Sequence, residues 1–321
     1  MITVNNLTKV FRTEEIETTA LNGVSFHWTT HSVLTDGTSL PFREAAERFD
    51  AVSFVRDLKS VRADHVIFTL THAEQYLALP CGPLEELLPG RTAECDLIGE
   101  IAARLAEAGI RFIAYYNHSC NGGDDPAWKK ACGYASADLD RFAGNICGIV
   151  SFLAGRYGKA LSGWWFDSAY SVDPRGPHDT ITCDMGGWRF PWDKLLSAAK
   201  SGHEDCAVAV NAGIGSNFLY ASGTDYYAGE TVDLEEVFRP DEINGVVGHR
   251  WTCLDSTDWV FHRGRGSFSA PRFPLETVCE FVRKNLASER MTTFNLEIAQ
   301  DGTINPASLD LFGEMKKRIG M

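Results

Sequence analysis

Long hydrophobic runs and an excess of basic residues are both missing from this sequence. No stretch approaches the roughly 18 consecutive apolar residues that a membrane-spanning helix needs. There are 30 Lys and Arg residues against 43 Asp and Glu, and the net charge of −13 argues against binding to nucleic acid or to an anionic membrane. The N-terminus lacks the basic start and apolar stretch of a secretory signal. We therefore expect a cytoplasmic protein that acts on a neutral or weakly charged small molecule.

Metal-binding and redox motifs are missing as well. The nine cysteines include no pair at CxxC spacing, and no histidines stand at the HExxH spacing of zinc enzymes. Cysteines without such pairs predict free, mostly buried thiols in a reducing compartment. The sequence therefore predicts no cofactor and no metal ion.

The first 26 residues resemble the opening strands of an ATP-binding-cassette ATPase. Such an enzyme needs the phosphate-binding run GxxxxGK[ST], and the chain contains no such run, since Gly158-Lys159 is followed by Ala160. This absence argues against ATP hydrolysis. We therefore treat residues 1–25 as an N-terminal segment of uncertain origin and residues 26–321 as the catalytic domain.

Downstream, short apolar runs alternate with segments of helical periodicity, which is the pattern of repeated βα units. An eighth strand is expected between Trp251 and Ser267, where the pattern is poor. The pattern favours a (β/α)8 TIM-type barrel, with an open doubly wound sheet as the alternative. The other predicted strands are Gly23–His27, Asp64–Thr69, Arg111–Tyr116, Gly163–Phe166, Cys206–Asn211, Gly245–Arg250 and Met291–Leu296. The clearest predicted helices are Asp96–Ala108, Leu139–Gly155, Pro274–Leu286 and Pro306–Ile319.

Polar and aromatic residues recur where these predicted strands end. Active residues of α/β barrels lie just past the C-terminal ends of the strands. Five successive strands end in side chains that could bind or transform a sugar. The candidates for substrate binding are His27, Trp28, His72, Glu74, Tyr116, Trp165 and Asn211.

Asp167 stands directly after the aromatic strand Gly163–Phe166. A carboxylate that is desolvated on one side by aromatic rings can act as a nucleophile or general base. The same residue could instead cap the next helix by accepting backbone amides. The residues alone leave both readings open.

Glycoside hydrolysis needs a second carboxylate as general acid and base. Glu230, in the aromatic, Gly-containing run 225–230, is the preferred candidate. Glu74 and Asp225 are the other contenders. The acidic run Asp233–Glu236 is more typical of a solvated helix start.

At these residues the chain resembles glycoside hydrolase family 29, the α-L-fucosidases. The similarity extends from about residue 26 to the end of the chain, in the family's order. The matching segments are Phe26-His27-Trp28 (FxHWG), Thr71-His72 (TxKHHDGF), Trp165-Phe166-Asp167 (WFDG), Asp225–Glu230 (DYxTPE) and Phe294–Leu296 with Asp301-Gly302 (LLNxxPxxDG).

The resemblance implies a retaining hydrolase in which Asp167 is the nucleophile and Glu230 the acid/base. It also implies that His27, His72, Tyr116 and Trp165 line the subsite of a small carbohydrate or glycoconjugate. The chain departs from the family at Ala73, where a second His is expected, and at Ser168, where Gly is expected. We also expect no C-terminal β-sandwich. Two alternatives are a catalytically inactive carbohydrate-binding barrel and a glycosidase of changed sugar specificity.

Overall fold

The computed structural model describes residues 22–176, 180–216, 218–234, 246–262 and 264–320, together with the backbone of two short N-terminal strands. These strands, Arg12–Thr13 and Ile16–Glu17, pair antiparallel. The ATPase-like segment otherwise falls largely outside the described residues. The first strand of the main sheet begins at Asn22, so the predicted domain boundary at residue 25 falls inside a strand.

Seven parallel strands form one curled sheet in the order β5-β4-β3-β2-β1-β7-β6. Their bounds are β1 Asn22–Phe26, β2 His65–Thr71, β3 Arg111–Asn117, β4 Leu161–Asp167, β5 Ala207–Val210, β6 His249–Cys253 and β7 Met291–Asn295. Six of the seven predicted strands match these closely. The strand predicted at Gly245–Arg250 overlaps β6 by two residues, and Gly245 itself lies outside the described residues.

The gap between the two edge strands, β5 and β6, is spanned by residues 225–231. The backbone N–H of Asp225 donates to Val208 O of β5 at 2.9 Å. On the other side, Thr231 N–H donates to Trp251 O of β6 at 2.8 Å. An eighth strand between residues 251 and 267 was the wrong expectation, because the described chain past Cys253 forms turns and bends there. The sheet and its helices are consistent with a TIM-like α/β barrel.

Helices follow most of the strands and cover the outside of the sheet. They are α1 Phe42–Arg48, α2 Ala51–Ser60, α3 Gly82–Leu87, α4 Leu97–Glu107, α5 Pro126–Cys132, α6 Leu139–Tyr157, α7 Trp192–Lys200, α8 Leu275–Ala287 and α9 Pro306–Ile319. The four clearest predicted helices correspond to α4, α6, α8 and α9. In α4 and α6, the aspartates Asp96 and Asp138 cap the first turn by accepting backbone amides. No helix in the described part of the chain is long and apolar enough to cross a membrane.

Side chains alternate between the two faces of each strand, and this alternation places two apolar clusters on opposite faces of the sheet. The larger one packs the outer face of the sheet against the helices and includes Phe68, Tyr116 and Phe166. The smaller one fills the interior of the sheet and includes Tyr115 and Trp165. Neighbouring residues of one strand point to opposite faces, so Tyr115 and Tyr116 lie in different environments.

Candidate active site

Asp167 ends β4 at the C-terminal edge of the sheet and is held by four donors. Tyr115 Oη donates to its Oδ2 at 2.5 Å, and Asn117 Nδ2 donates to the same oxygen at 3.1 Å. Asn211 Nδ2 and the backbone N–H of Ser168 donate to Oδ1 at 2.9 and 2.7 Å. These four bonds fix the orientation of both carboxylate oxygens. Burial and the Asp167 charge raise the pKa of Tyr115 well above its usual value, so its phenol remains a donor.

Asn211 joins the two predicted catalytic carboxylates. Its Nδ2 lies 2.9 Å from Asp167 Oδ1 and 2.6 Å from Glu230 Oε2. Its Oδ1 accepts the backbone N–H of Gly213 at 3.0 Å, which fixes the orientation of the amide. Because both oxygens bind one nitrogen, their separation cannot exceed the sum of the two lengths, about 5.5 Å.

Glu230 is carried by the segment that spans the gap between β5 and β6. Gly229 precedes it at a φ of +70°, and a Cβ there would lie 2.0 Å from the His249 carbonyl oxygen. Only glycine permits this close approach of segment and strand. Burial, followed by the nearby Asp167 charge, raises the pKa of Glu230 to about 8. At neutral pH Glu230 therefore carries a proton that it can donate.

Aromatic rings and neutral imidazoles form a wall beside the carboxylates. The His27 ring stacks on Trp251 with centroids 5.3 Å apart, and Trp259 lies 5.4 Å away. His72 lies 6.2 Å from His27 by ring centroids. Burial, followed by the proximity of His72, lowers the pKa of His27 to about 4. Burial also lowers the pKa of His72.

The hydrogen bonds around His27 show which ring nitrogen carries the proton in its neutral form. Asn295 Nδ2 donates to Trp259 O at 2.9 Å, so Asn295 Oδ1 is the acceptor that faces His27 Nδ1 at 3.1 Å. The proton of neutral His27 is therefore on Nδ1, which leaves Nε2 as an acceptor. The same bond from Asn295 holds the backbone of Trp259 beside the His27 ring.

Trp165 forms part of the base of the site. It stacks on Tyr115 at 5.3 Å and meets Trp251 edge-on at 4.2 Å. Its Nε1 donates to the Ala228 carbonyl at 3.0 Å, two residues before Glu230. Six predicted site residues therefore come together here, namely Asp167, Glu230, His27, His72, Trp165 and Asn211.

Three predicted substrate-binding residues lie elsewhere. Tyr116 is buried on the outer face of the sheet and packs edge-on against Phe166, so Tyr115 and not Tyr116 faces Asp167. The Trp28 indole is buried, and its Nε1 donates to Gln300 O at 3.0 Å. Among the described residues, Glu74 does not contact Asp167 or Glu230. It lines a small cavity together with Trp28 and His72.

The other contender for the acid, Asp225, has a structural role. Its Oδ2 accepts the backbone N–H of Val208 at 2.9 Å and forms an ion pair with Lys200 at 2.8 Å. These contacts fix the start of the segment on β5. Asp225 therefore anchors the segment whose other end carries Glu230.

Several residues of the site were not predicted from the sequence. They are Tyr115, Asn117, Trp251, Trp259 and Asn295. The strand register contains a signal for two of them. Tyr115 pairs with Trp165 and Asn117 with Asp167 across β3 and β4. Laterally paired residues of parallel strands face the same side, so a site at Trp165 and Asp167 implies Tyr115 and Asn117.

The described residues contain no group of three or more His, Cys, Asp or Glu side chains placed to hold a metal ion. The chemistry available from them is that of a carboxylate pair, an amide bridge and neutral imidazoles.

The fold has solved counterparts, although no protein-family profile and no curated protein match the sequence. An endo-fucoidan hydrolase of glycoside hydrolase family 107 superposes with a TM-score of 0.67 at 13% identity, over 94% of this chain and 91% of that chain. A family 29 α-L-fucosidase from Bacteroides thetaiotaomicron, trapped as a covalent intermediate, gives 0.66 at 17% identity, over 93% and 73%. A second family 107 endo-fucoidan hydrolase gives 0.69 at 16% identity, over 97% of this chain but 53% of that chain.

The chain has a fucosidase-like fold. At these identities the similarity establishes the architecture alone. The second family 107 hydrolase has a long region with no counterpart here.

Proposed function

We propose that this protein is a retaining glycoside hydrolase that cleaves α-L-fucosyl linkages. The observation that carries the proposal is the sharing of Asn211 Nδ2 by Asp167 and Glu230. Retaining glycosidases hold their carboxyl groups about 5–5.5 Å apart, whereas inverting enzymes separate them by about 6.5–9.5 Å to admit a water molecule. An upper limit of about 5.5 Å between the bridged oxygens supports the retaining mechanism.

The two carboxyl groups differ in the way that the first chemical step requires. Asp167 accepts four hydrogen bonds and is the nucleophile, and Glu230, with its pKa raised to about 8, is the acid. A carboxylate oxygen of Asp167 attacks the anomeric carbon as the bond from that carbon to the leaving oxygen breaks. The Glu230 proton passes to the leaving oxygen. The products are the released alcohol and a glycosyl ester on Asp167.

Formation of the ester prepares Glu230 for the second step. The charge of Asp167 is one of the causes that raise the pKa of Glu230, and this charge disappears in the ester. The pKa of Glu230 therefore falls, and its carboxylate can accept a proton from water. The water oxygen then bonds to the anomeric carbon, and Asp167 leaves as a carboxylate.

The wall of rings provides the sugar-binding surface. Trp259 is half-buried and packs against both His27 and Trp251, and its apolar ring can pack against the C–H groups of a sugar. His27 Nε2 remains an acceptor for a sugar hydroxyl. The assignment of an α-L-fucosyl group rests on these features together with the fold of the fucosidases and fucoidan hydrolases.

Ala73 favours a second candidate, a glycosidase of changed sugar specificity. It stands beside His72, where the family 29 pattern has another histidine, and a methyl group cannot bond to a sugar hydroxyl. Sites that bind a hydroxyl by hydrogen bonds discriminate strongly between sugars. A panel of aryl α-L-, α-D- and β-D-glycosides distinguishes the two candidates, because the proposed function requires the α-L-fucoside to be the best substrate.

The decisive experiment measures nitrophenol release from an aryl α-L-fucoside by wild type and Asp167→Asn. We expect turnover by wild type and a loss of at least about a thousandfold in the variant, because the amide cannot form the ester intermediate. ¹H NMR of the first-formed sugar should show the α-anomer. Release of the β-anomer would contradict the retaining mechanism.

Asp193→Asn is the matched control, because Asp193 is exposed in the first turn of α7 and loses the same charge. It should keep wild-type turnover. A wild type that binds sugar but hydrolyses no glycoside of the panel would overturn the proposed activity.

A further inference from the structure

Ser168 directly follows Asp167 and has a backbone conformation that serine rarely adopts. Its φ and ψ are 65° and 19°, in the left-handed region that favours glycine. The residue is fully buried. A non-glycine residue persists in this conformation when the surrounding structure compensates for the strain.

The hydroxyl group of Ser168 lies between two asparagine side chains. Its Oγ is 3.0 Å from Asn121 Nδ2 and 3.0 Å from Asn117 Oδ1. Asn117 in turn donates from Nδ2 to Asp167 Oδ2 at 3.1 Å. A continuous chain of hydrogen bonds therefore leads from Asn121 through Ser168 to the nucleophile.

The donor and acceptor roles in this series of hydrogen bonds follow from the amide orientation of Asn117. Asn117 Oδ1 also accepts the backbone N–H of Ser119 at 2.6 Å, and its Nδ2 faces a carboxylate, so its amide orientation is fixed. The Ser168 proton must then point to Asn117 Oδ1, and Ser168 Oγ must accept from Asn121 Nδ2. All donors point towards Asp167, and bonds in such a series polarise one another.

The start of the chain is fixed by the loop after β3. The backbone N–H of Asn121 donates to Asp124 Oδ2 at 2.8 Å. Lys129 Nζ donates to the carbonyl oxygens of Asn121 and Gly122. Asn121 is therefore held through its backbone on both sides.

We propose that Ser168 is a positioning residue that orients Asn117 and, through it, the Asp167 carboxylate, with the loop at Asn121 as its anchor. The inference rests on the proposed function, in which Asp167 is the nucleophile. Glycine at this position would relieve the backbone strain but would lose the hydroxyl. With serine at position 168, the protein has the hydroxyl group and also the strained backbone conformation.

Two substitutions separate the hydroxyl from the backbone strain. Ser168→Gly and Ser168→Ala both remove the hydroxyl, but glycine accepts the left-handed conformation and alanine does not. We expect kcat on an aryl fucoside to fall about tenfold in both variants with little change in KM, because Asn117 loses the bond that orients its own hydrogen bond to Asp167. The Tm of Ser168→Gly should exceed that of Ser168→Ala.

Ala137→Gly is the matched control for relief of strain. Ala137 has a φ of 54° and is exposed between α5 and α6. This variant should raise Tm without changing kcat. Wild-type kcat in Ser168→Gly, or a loss confined to Ser168→Ala, would overturn the proposal, since activity would then follow strain and not the hydroxyl.

A second measurement does not depend on turnover. The side-chain amide resonances of Asn117, assigned by their disappearance in Asn117→Asp, should shift in Ser168→Gly and remain in place in Ala137→Gly. Unshifted resonances in Ser168→Gly would overturn the positioning role. A wild type without glycosidase activity would instead count against the proposed function, and the resonances would still decide the role of Ser168.

Discussion

The phenol of Tyr115 donates a hydrogen bond of 2.5 Å to Oδ2 of Asp167, whereas Tyr116 lies on the opposite face of the same strand. Tyr115→Phe should therefore lower kcat by about 10–100-fold, the range for a lost hydrogen bond to a charged group. Tyr116→Phe is the matched control. Among the described residues its buried hydroxyl has no hydrogen-bond partner, so its removal should leave kcat within about twofold of wild type and should not lower Tm. Steady-state kinetics with an aryl fucoside tests both, and equal losses would contradict this placement.

Glu230→Gln should affect substrates according to their leaving group. An unactivated glycoside needs protonation of the departing oxygen and should lose about 10²–10⁴-fold in kcat/KM. A dinitrophenyl glycoside needs little protonation and should lose far less in its first step. Comparison of the two substrates in wild type and variant gives the result directly. If both slow equally, another residue is the acid.

Asn211→Ala should shift the alkaline limb of activity. Glu230 must be protonated in the first step, so activity should fall as pH rises through about 8, its pKa in the folded protein. The hydrogen bond from Asn211 lowers this pKa, so its removal raises the pKa and moves the limb to higher pH. The value of kcat should fall at least about tenfold, because the two carboxyl groups lose their common donor. A kcat/KM profile from pH 5 to 10 tests the shift, and a limb at lower pH would contradict it.

His65 and His249 make stability fall in acid. Both contact Thr293 Oγ1 at 2.7 Å, and His249 Nδ1 lies 2.8 Å from the Ala228 carbonyl. Burial lowers the pKa of His249 to about 3 and that of His65 well below the usual 6.5. Below pH 6.5 these histidines therefore bind protons in the unfolded chain but remain neutral in the folded protein. His249 should reduce the free energy of unfolding by about 1.4 kcal/mol per pH unit from pH 6 towards pH 4, and His65 acts in the same direction.

Urea titrations at pH 7, 6 and 5 test this dependence. His249→Gln should reduce the slope by about one proton, whereas His31→Gln, at an exposed histidine, serves as the control. The difference between variants removes the contribution of other groups. An unchanged slope in His249→Gln would show that His249 takes up its proton equally in both states.

The strands and the position of Asp167 at a strand end could be predicted because buried parallel strands have a strong apolar signature. Trp165 and Asp167 illustrate this, since both stand in a short aromatic run that reads as β4. The choice between Tyr115 and Tyr116 could not be made in the same way. It depends on which residue of β3 lies beside Trp165, and that register is set by packing across the sheet.

The segment 225–231 is the second feature that could not be predicted from the sequence. It takes the place between β5 and β6 through isolated bridges, at Tyr226 and Glu230, and contains Gly229. A segment with so few regular pairs has no alternating pattern, so an eighth strand was expected further along the chain. The same segment brings Glu230 to Asn211, a contact between residues 19 positions apart that no local motif reports.

The contact of Gly229 with the His249 carbonyl also limits how this barrel can change over evolutionary time. Any side chain at position 229 would meet the backbone of β6 at 2.0 Å and displace the segment, together with the carboxyl group of the following residue. Asp167, by contrast, ends a regular strand whose neighbours hold it on both sides. Substitution of Gly229 would therefore displace the carboxyl group of Glu230, while Asp167 and the wall of rings beside it stayed in place.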